Sequence, residues 1–466
     1  MQSTAAPAKR STALAFVLAC APVLLVALMY IPDLGDDTLD YLHMMNHEWD
    51  KVVQPFSARF LHPWLVSTAT HASGTSLQTT AIVIDLAAFV GSVLALIILF
   101  RRLRLPVMWL PPLMFSYAVV HTVSIIYMPD QFYTALLSVF LLALAFEQLA
   151  IAALLIIVLF CARESTLVLG LVAAGVFAWR ARRRSAPLDR SAARREYTWA
   201  VLFFAATIAG FLVNRYGSNH ASNVHHINPL LYLAVKAPYN FVKNILGVQI
   251  WTNTFVATQG DHPIYRWPLP RRLHLGGIDT IGISDMSPVY PLNWLISIIS
   301  TFGVMLTVVL QSIARRAQAF RNQNPLRRVS SAFGALLRGE PFVVQFAGAY
   351  GIINFLLVPL LGSAVHRYIY YAWPGFWIFA PVLLARRYDI FTAAARPALW
   401  TLLVIHLALA WSRSVQLLWP DSSLFTLAVL AAVVVLQVFA WRLLARLEVG
   451  AANTGAAPTA ATNAAV

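Results

Sequence analysis

The sequence predicts an all-α membrane protein of about twelve transmembrane helices, with surface helices in its first and fourth outer connections. Three observations lead there. Apolar residues make up 59% of the chain against 11% charged, and mean hydropathy is +0.68, which is more apolar surface than one soluble core can hide. The apolar residues fall in long runs. Basic residues sit in short blocks between alternate runs, so the net charge of +15 is topological information and not a nucleic-acid footprint. Cys20 and Cys161 lie in or beside apolar runs and imply no disulfide framework.

In order, the candidate spans cover residues 11–31, 79–100, 106–128, 131–147, 149–162, 165–180, 197–216, 291–313, 341–362, 371–385, 397–416 and 422–445. The fifth and sixth are short enough to form a tilted or partly re-entrant hairpin. The first follows Lys9-Arg10 and passes through Val17-Leu18-Ala19-Cys20, which loosely matches a lipoprotein cleavage site. It runs on to Ile31, about 20 residues and enough to span, so it reads as an uncleaved helix. The chain thus divides into an amino-terminal membrane module (1–216), a long connection (217–290), carboxy-terminal membrane helices (291–449) and a tail (450–466). That tail is rich in Ala, Thr and Asn and is expected to be disordered.

Lys and Arg are retained on the cytoplasmic side, which orients the spans. Alternate connections carry Lys9-Arg10, Arg101-Arg102 with Arg104, the arginines from Arg180 to Arg195 and from Arg315 to Arg338, Arg386-Arg387 with Arg396, and Arg442 with Arg446. Both termini are therefore expected to be cytoplasmic. Arginine- and alanine-rich usage fits a bacterial inner membrane. The connections 32–78 and 217–290 then face outward, and loops this long usually fold or function.

Asp36 and Asp37 open the first of these loops. From Thr38 to Val53, Leu42, Met45, Trp49 and Val52 share one helical face, and Asp40, His43, His47 and Asp50 share the other. This spacing predicts an amphipathic helix lying along the membrane, with Asp37 at its amino-terminal cap. Asp40, His43 and His47 share a face compatible with a divalent metal, although exposed polar residues on a surface helix have the same pattern. Farther on, Arg59 and His62 stand among Phe56, Phe60 and Trp64, a pattern that fits an interfacial aromatic belt or an anionic head-group contact.

Three more features fall on the same side. Asp130 follows Pro129 and is placed to cap the fourth span. Arg163-Glu164 separates the two short spans, where adjacent charges need either an ion pair or a site role. His366-Arg367-Tyr368 precedes the tenth span, and interfacial anchoring explains its aromatic neighbours but not His366 with Arg367. The long connection holds His220, His225 and His226 in no strong metal spacing. Leu231, Val235, Tyr239 and Val242 suggest a second surface helix over residues 228–248, interrupted at Pro238 and packed over the mouth of the bundle.

This layout resembles the GT-C superfamily of membrane glycosyltransferases, which use polyprenyl-phosphate-linked sugars. Members commonly carry Asp-Glu, or a single Asp followed about four residues later by Tyr, at the start of the first outer loop. Asp37 with Tyr41 has that spacing and Asp36-Asp37 approximates the pair, although neither member is Glu. His366-Arg367-Tyr368 with Pro374 resembles a motif before a carboxy-terminal span, and Arg163-Glu164 an Arg-Glu pair of bacterial relatives.

The resemblance implies a base, Asp37 or Asp36, that deprotonates an acceptor hydroxyl as it attacks the anomeric carbon with inversion. It implies donor-phosphate binding by Arg367, His366, Arg59 and Arg163, supported by Tyr41, Glu164, Tyr368 and Asp130. The partners implied are a polyprenyl-phosphate sugar, a glycan or lipid acceptor and membrane lipid. No nucleotide is required, because the sequence has no Gly-rich phosphate loop. Competing expectations are a transporter or flippase for a lipid-linked saccharide, which calls for repeats and midplane polar residues, and a noncatalytic membrane protein.

Overall fold

The computed structural model describes residues 9–29, 36–52, 56–125, 127–184, 190–217, 237–253, 263–270, 272, 278–361, 369–388, 390–420 and 422–453. Backbone alone is described for Asp36 and Asp37. His366, Arg367, Tyr368, the three histidines of the long connection and tail residues 454–466 lie outside the described residues.

The chain is predominantly helical. The amino-terminal module contains α1 (Lys9–Met29), α2 (Asp36–Met45), α3 (Leu61–Ser73), α4 (Leu77–Arg102), α5 (Leu110–Met114), α6 (Tyr117–Ser124), α7 (Asp130–Ala145), α8 (Leu149–Ala162), α9 (Thr166–Arg183) and α10 (Arg190–Gly217). After the long connection come α11 (Val289–Phe302), α12 (Val304–Gln318), α13 (Pro325–Leu337), α14 (Phe342–Leu361), α15 (Ala380–Arg387), α16 (Arg396–Ala410), α17 (Ser412–Gln416) and α18 (Ser423–Asn453).

Among the described residues, five helices are long and apolar enough to cross a membrane, or up to seven if each of two bent pairs is one span. The protein is thus a multi-pass membrane protein by helix length and composition. The bends fall inside runs that the sequence reads as continuous. Residues 106–128 turn by 67° between α5 and α6, where Pro111 and Pro112 stand just before Ser116, whose hydroxyl accepts from Val119 N at 3.5 Å to start a new helix. Residues 291–313 turn by 93° at Gly303, which has φ +50 and where a Cβ would lie 2.6 Å from His406 Nδ1. His406 Nε2 also lies 3.2 Å from Pro112 O, so one imidazole touches both breaks.

Contacts sort the helix ends into two groups. At one end Arg102 of α4 donates to Ala145 O of α7 at 3.3 Å, Arg180 of α9 pairs with Glu196 of α10 at 2.9 Å, and Arg386 of α15 pairs with Glu340 at 2.7 Å. Arg315 of α12 pairs there with Glu448 of α18. This is the basic end. Within it α13, capped by Asn324 Oδ1 accepting from Arg327 N at 2.9 Å, forms a helix that the basic sequence between Arg315 and Arg338 did not suggest. It buries Ala332, Leu336 and Leu337 and leaves Leu326 exposed.

The opposite end gathers the long connections. Their described residues are not helical throughout: Val248–Thr252 (β1), Tyr265–Pro268 (β2) and Thr280–Met286 (β3) form an antiparallel sheet in the order β1-β3-β2. Just before it, Asn240 Nδ2 donates to Leu360 O at 3.1 Å and Asn244 Nδ2 to Pro359 O at 3.3 Å. Both acceptors are carbonyls in the last described turn of α14.

The first outer helix also ends earlier than its apolar spacing predicts. α2 stops at Met45 because His47 takes the left-handed conformation (φ 61), with His47 N on Met44 O at 3.1 Å and Glu48 N on His43 O at 2.8 Å. Arg104 (φ 58) and Glu147 (φ 57) close α4 and α7 in the same way. Glycine is the usual residue there, and a side chain in that conformation costs about 1–2 kcal/mol.

Candidate functional site

The opposite end holds a connected set of charges, three of them buried, built from four segments. α2 supplies Tyr41, which packs with Met44, Met45, Val52, Val66 and Met128 in a small cluster of its own, separate from the main core. Its apolar face is therefore turned into the protein and anchors the helix. A 3₁₀ turn, Phe56–Arg59, supplies Arg59, and Asn214 of α10 fixes that turn by donating to Ala58 O at 2.5 Å and to Phe160 O of α8 at 2.7 Å. The α8–α9 turn supplies Arg163 and Glu164, and the first turn of α7 supplies Asp130.

Arg59, only 3% exposed, is fully directed. Its Nε donates to Glu164 Oε2 at 2.8 Å, its Nη2 to Oε1 at 2.5 Å, and its Nη1 to the Tyr41 hydroxyl at 2.8 Å. The two parallel bonds to one carboxylate are the strongest geometry open to arginine. Phe56 lies under the guanidinium at 5.5 Å.

Arg163 is 1% exposed. Its Nη1 donates to Asp130 Oδ1 at 2.7 Å and its guanidinium lies 4.4 Å from the Tyr371 ring centre. The Tyr371 hydroxyl donates to the same Asp130 oxygen. Adjacent Arg163 and Glu164 thus pair outward to residues far away in sequence and not with each other. Nor does the Asp130 side chain cap α7: it stands in the first turn and takes Arg163, where the helix dipole also favours its charge.

Glu164 keeps 42% of its side chain exposed. Burial of the rest pushes its pKa up, but Arg59, through charge and hydrogen bonds, and then Arg163 outweigh that and hold it down at about 2. It is a carboxylate at every physiological pH.

A further buried pair joins two segments that the sequence does not link. His62 Nε2 lies 3.0 Å from Asp85 Oδ1, with side chains 0% and 3% exposed, beside Phe132 at the start of α7. The readable signal was Asp85 itself, one carboxylate inside the apolar run 79–100. The histidines of the first loop go elsewhere: His43 Nδ1 meets Glu48 Oε2 at 2.6 Å and His47 Nε2 meets the Ser67 hydroxyl at 3.0 Å. Among the described residues no group of three His, Cys, Asp or Glu is placed to hold a metal ion.

The arrangement therefore brings Tyr41, Arg59, Asp130, Arg163 and Glu164 together and adds Tyr371, His62 and Asp85. Asp36 and Asp37 form the first turn of the helix that carries Tyr41. The described chain resumes at Ile369, one residue past Tyr368 and two before Tyr371. Chemically, Arg59 with Glu164 and Arg163 with Asp130 form two ion pairs whose formal charges sum to zero, which fixes geometry. No known family model, curated protein or solved structure matches the chain.

Proposed function

We propose that this chain is a membrane glycosyltransferase that moves a sugar from a polyprenyl-phosphate donor to an acceptor hydroxyl, with inversion, at the face of the membrane opposite its basic end. The observation that carries the proposal is the network Tyr41–Arg59–Glu164 and Tyr371–Asp130–Arg163, in which both arginines are buried. It ties α2, whose first turn is Asp36-Asp37, to the segment that follows His366-Arg367-Tyr368.

In this reading Asp37 or Asp36 takes the proton of the acceptor hydroxyl as its oxygen attacks the anomeric carbon and the phosphate leaves. Arg59 and Arg163 are held by carboxylates, so they fix the site and orient Tyr41 and Tyr371. The net positive charge that a departing phosphate needs then comes from Arg367 with His366. The membrane path is the full set of twelve spans, with both termini and the basic end cytoplasmic in a bacterial inner membrane. The arginine pairs gathered at one end, Arg180 with Glu196, Arg315 with Glu448 and Arg386 with Glu340, support a cytoplasmic basic end.

Purified protein would be given radiolabelled polyprenyl-phosphate sugars with a panel of acceptors, and Asp36→Asn and Asp37→Asn compared with the parent. Transfer that falls at least ~100-fold in one variant is expected; undiminished transfer by both would sink the assignment. A lipid-linked-saccharide transporter is the second reading, favoured by the two broken helices that meet at His406. It predicts movement of the donor across vesicle membranes without chemical change.

A further inference from the structure

The basic end contains an open cleft of about 420 Å³ between the turns that close α4 and α7, lined by Ile98, Arg101, Arg102, Arg104 and Phe146. We propose that it binds the phosphate head group of an anionic phospholipid, a site separate from the buried charge network and independent of the glycosyltransferase reading.

Its chemistry is divided as a lipid would need. Ile98 and Phe146 are about half exposed, 43% and 45%, and give the cleft an apolar floor. Ile98 lies on α4, one of the five helices long and apolar enough to cross a membrane, one turn before Arg101 and Arg102. The floor and the cations therefore meet at the boundary between hydrocarbon and head groups, where a lipid places its own apolar-to-anionic junction. Arg102 is already committed: its Nε donates to Ala145 O at 3.3 Å and its guanidinium lies 5.4 Å from the Phe146 ring centre. It joins the two turns into one wall. Arg101 and Arg104 then bring two exposed guanidiniums to a single rim, and guanidinium binds phosphate oxygens in pairs.

Arg104 is unusual for its position. It occupies the left-handed position that closes α4, with its N on Arg101 O at 3.1 Å and Leu105 N on Phe100 O at 2.8 Å. Glycine serves that backbone better. A long charged side chain in this strained position lines the cleft, so its side chain and its backbone conformation make opposite demands. That conflict makes it testable: Arg104→Gly removes the ligand group while relieving the backbone.

The full-length protein would be extracted in mild detergent, offered mixed micelles of phosphatidylglycerol and phosphatidylcholine, and the retained lipid counted by native mass spectrometry. The parent is expected to retain phosphatidylglycerol over phosphatidylcholine. Arg104→Gly should weaken that retention about fivefold with an unfolding midpoint equal to or above the parent's. Arg101→Gln, which leaves the backbone alone, should weaken it similarly, and is the deciding variant if Arg104→Gly unfolds early. Glu147→Gly, which relieves the facing turn and removes an acid, should keep it. Equal retention of the two lipids, or parental retention by Arg101→Gln and Arg104→Gly, overturns the proposal. Displacement of the lipid by millimolar inorganic phosphate also overturns it and assigns the cleft to free phosphate.

Discussion

The two ends of the bundle differ in how they hold their arginines. At the end that carries α2, Arg59 and Arg163 are 3% and 1% exposed and each is tied to a carboxylate and a tyrosine. At the basic end Arg101, Arg102 and Arg104 are exposed, and Arg386 pairs with Glu340 while 52% of its side chain remains exposed. Buried charges tolerate only one arrangement, because an unpaired partner has no water to turn to. Exposed ones stay mobile and screened. The first end is built to hold positions and the second to meet an interface.

The largest expected effect breaks a buried pair. Arg163→Ala removes the buried guanidinium that donates to Asp130 Oδ1, and should lower stability by about 3–5 kcal/mol in detergent unfolding. Arg163→Met combined with Asp130→Leu should recover most of that loss, since packed apolar residues replace such pairs at little cost. Next in size, Tyr41→Phe removes the acceptor of Arg59 Nη1 and should cost about 1.5 kcal/mol.

Lowering the pH should have a smaller effect. The Glu164 carboxyl, held at about 2 in the folded protein, binds protons more weakly than in the unfolded chain. Its stabilisation is therefore fully present above the unfolded value of about 4.3 and is lost as pH falls toward about 2. The unfolding midpoint should drop over that window, and Glu164→Gln should flatten the drop. Smallest of all, Arg442→Ala, an exposed residue of the basic end, should change stability by less than about 0.5 kcal/mol. A cost like that of Arg163→Ala would erase the distinction between the ends.

Much of the architecture was legible in the sequence because hydrocarbon imposes a composition. The apolar runs correspond to helices, and the arginine blocks gather at one end. What stayed hidden had local causes. Gly303 reads as one small residue in an apolar run, and only His406, about a hundred residues on, makes its missing side chain necessary. Of the helix expected over residues 228–248, residues 237–246 are described and helical, whereas the strands β1 to β3 that follow, at five, four and seven residues, are too short for their alternation to stand out. Arg59, Asp130, Arg163 and Glu164 were all picked out as charges beside apolar runs. Their partners were not, since Arg59 and Glu164 stand 105 residues apart and Arg163 and Asp130 stand 33 apart. His47 ended α2 early by a backbone turn that its residue type does not announce.

Donor binding and sugar transfer measured on one preparation of Asp36→Asn/Asp37→Asn decide whether the acids that open α2 perform the proposed chemistry: parental binding of the polyprenyl-phosphate sugar with transfer abolished is expected, and transfer at the parental rate would rule it out.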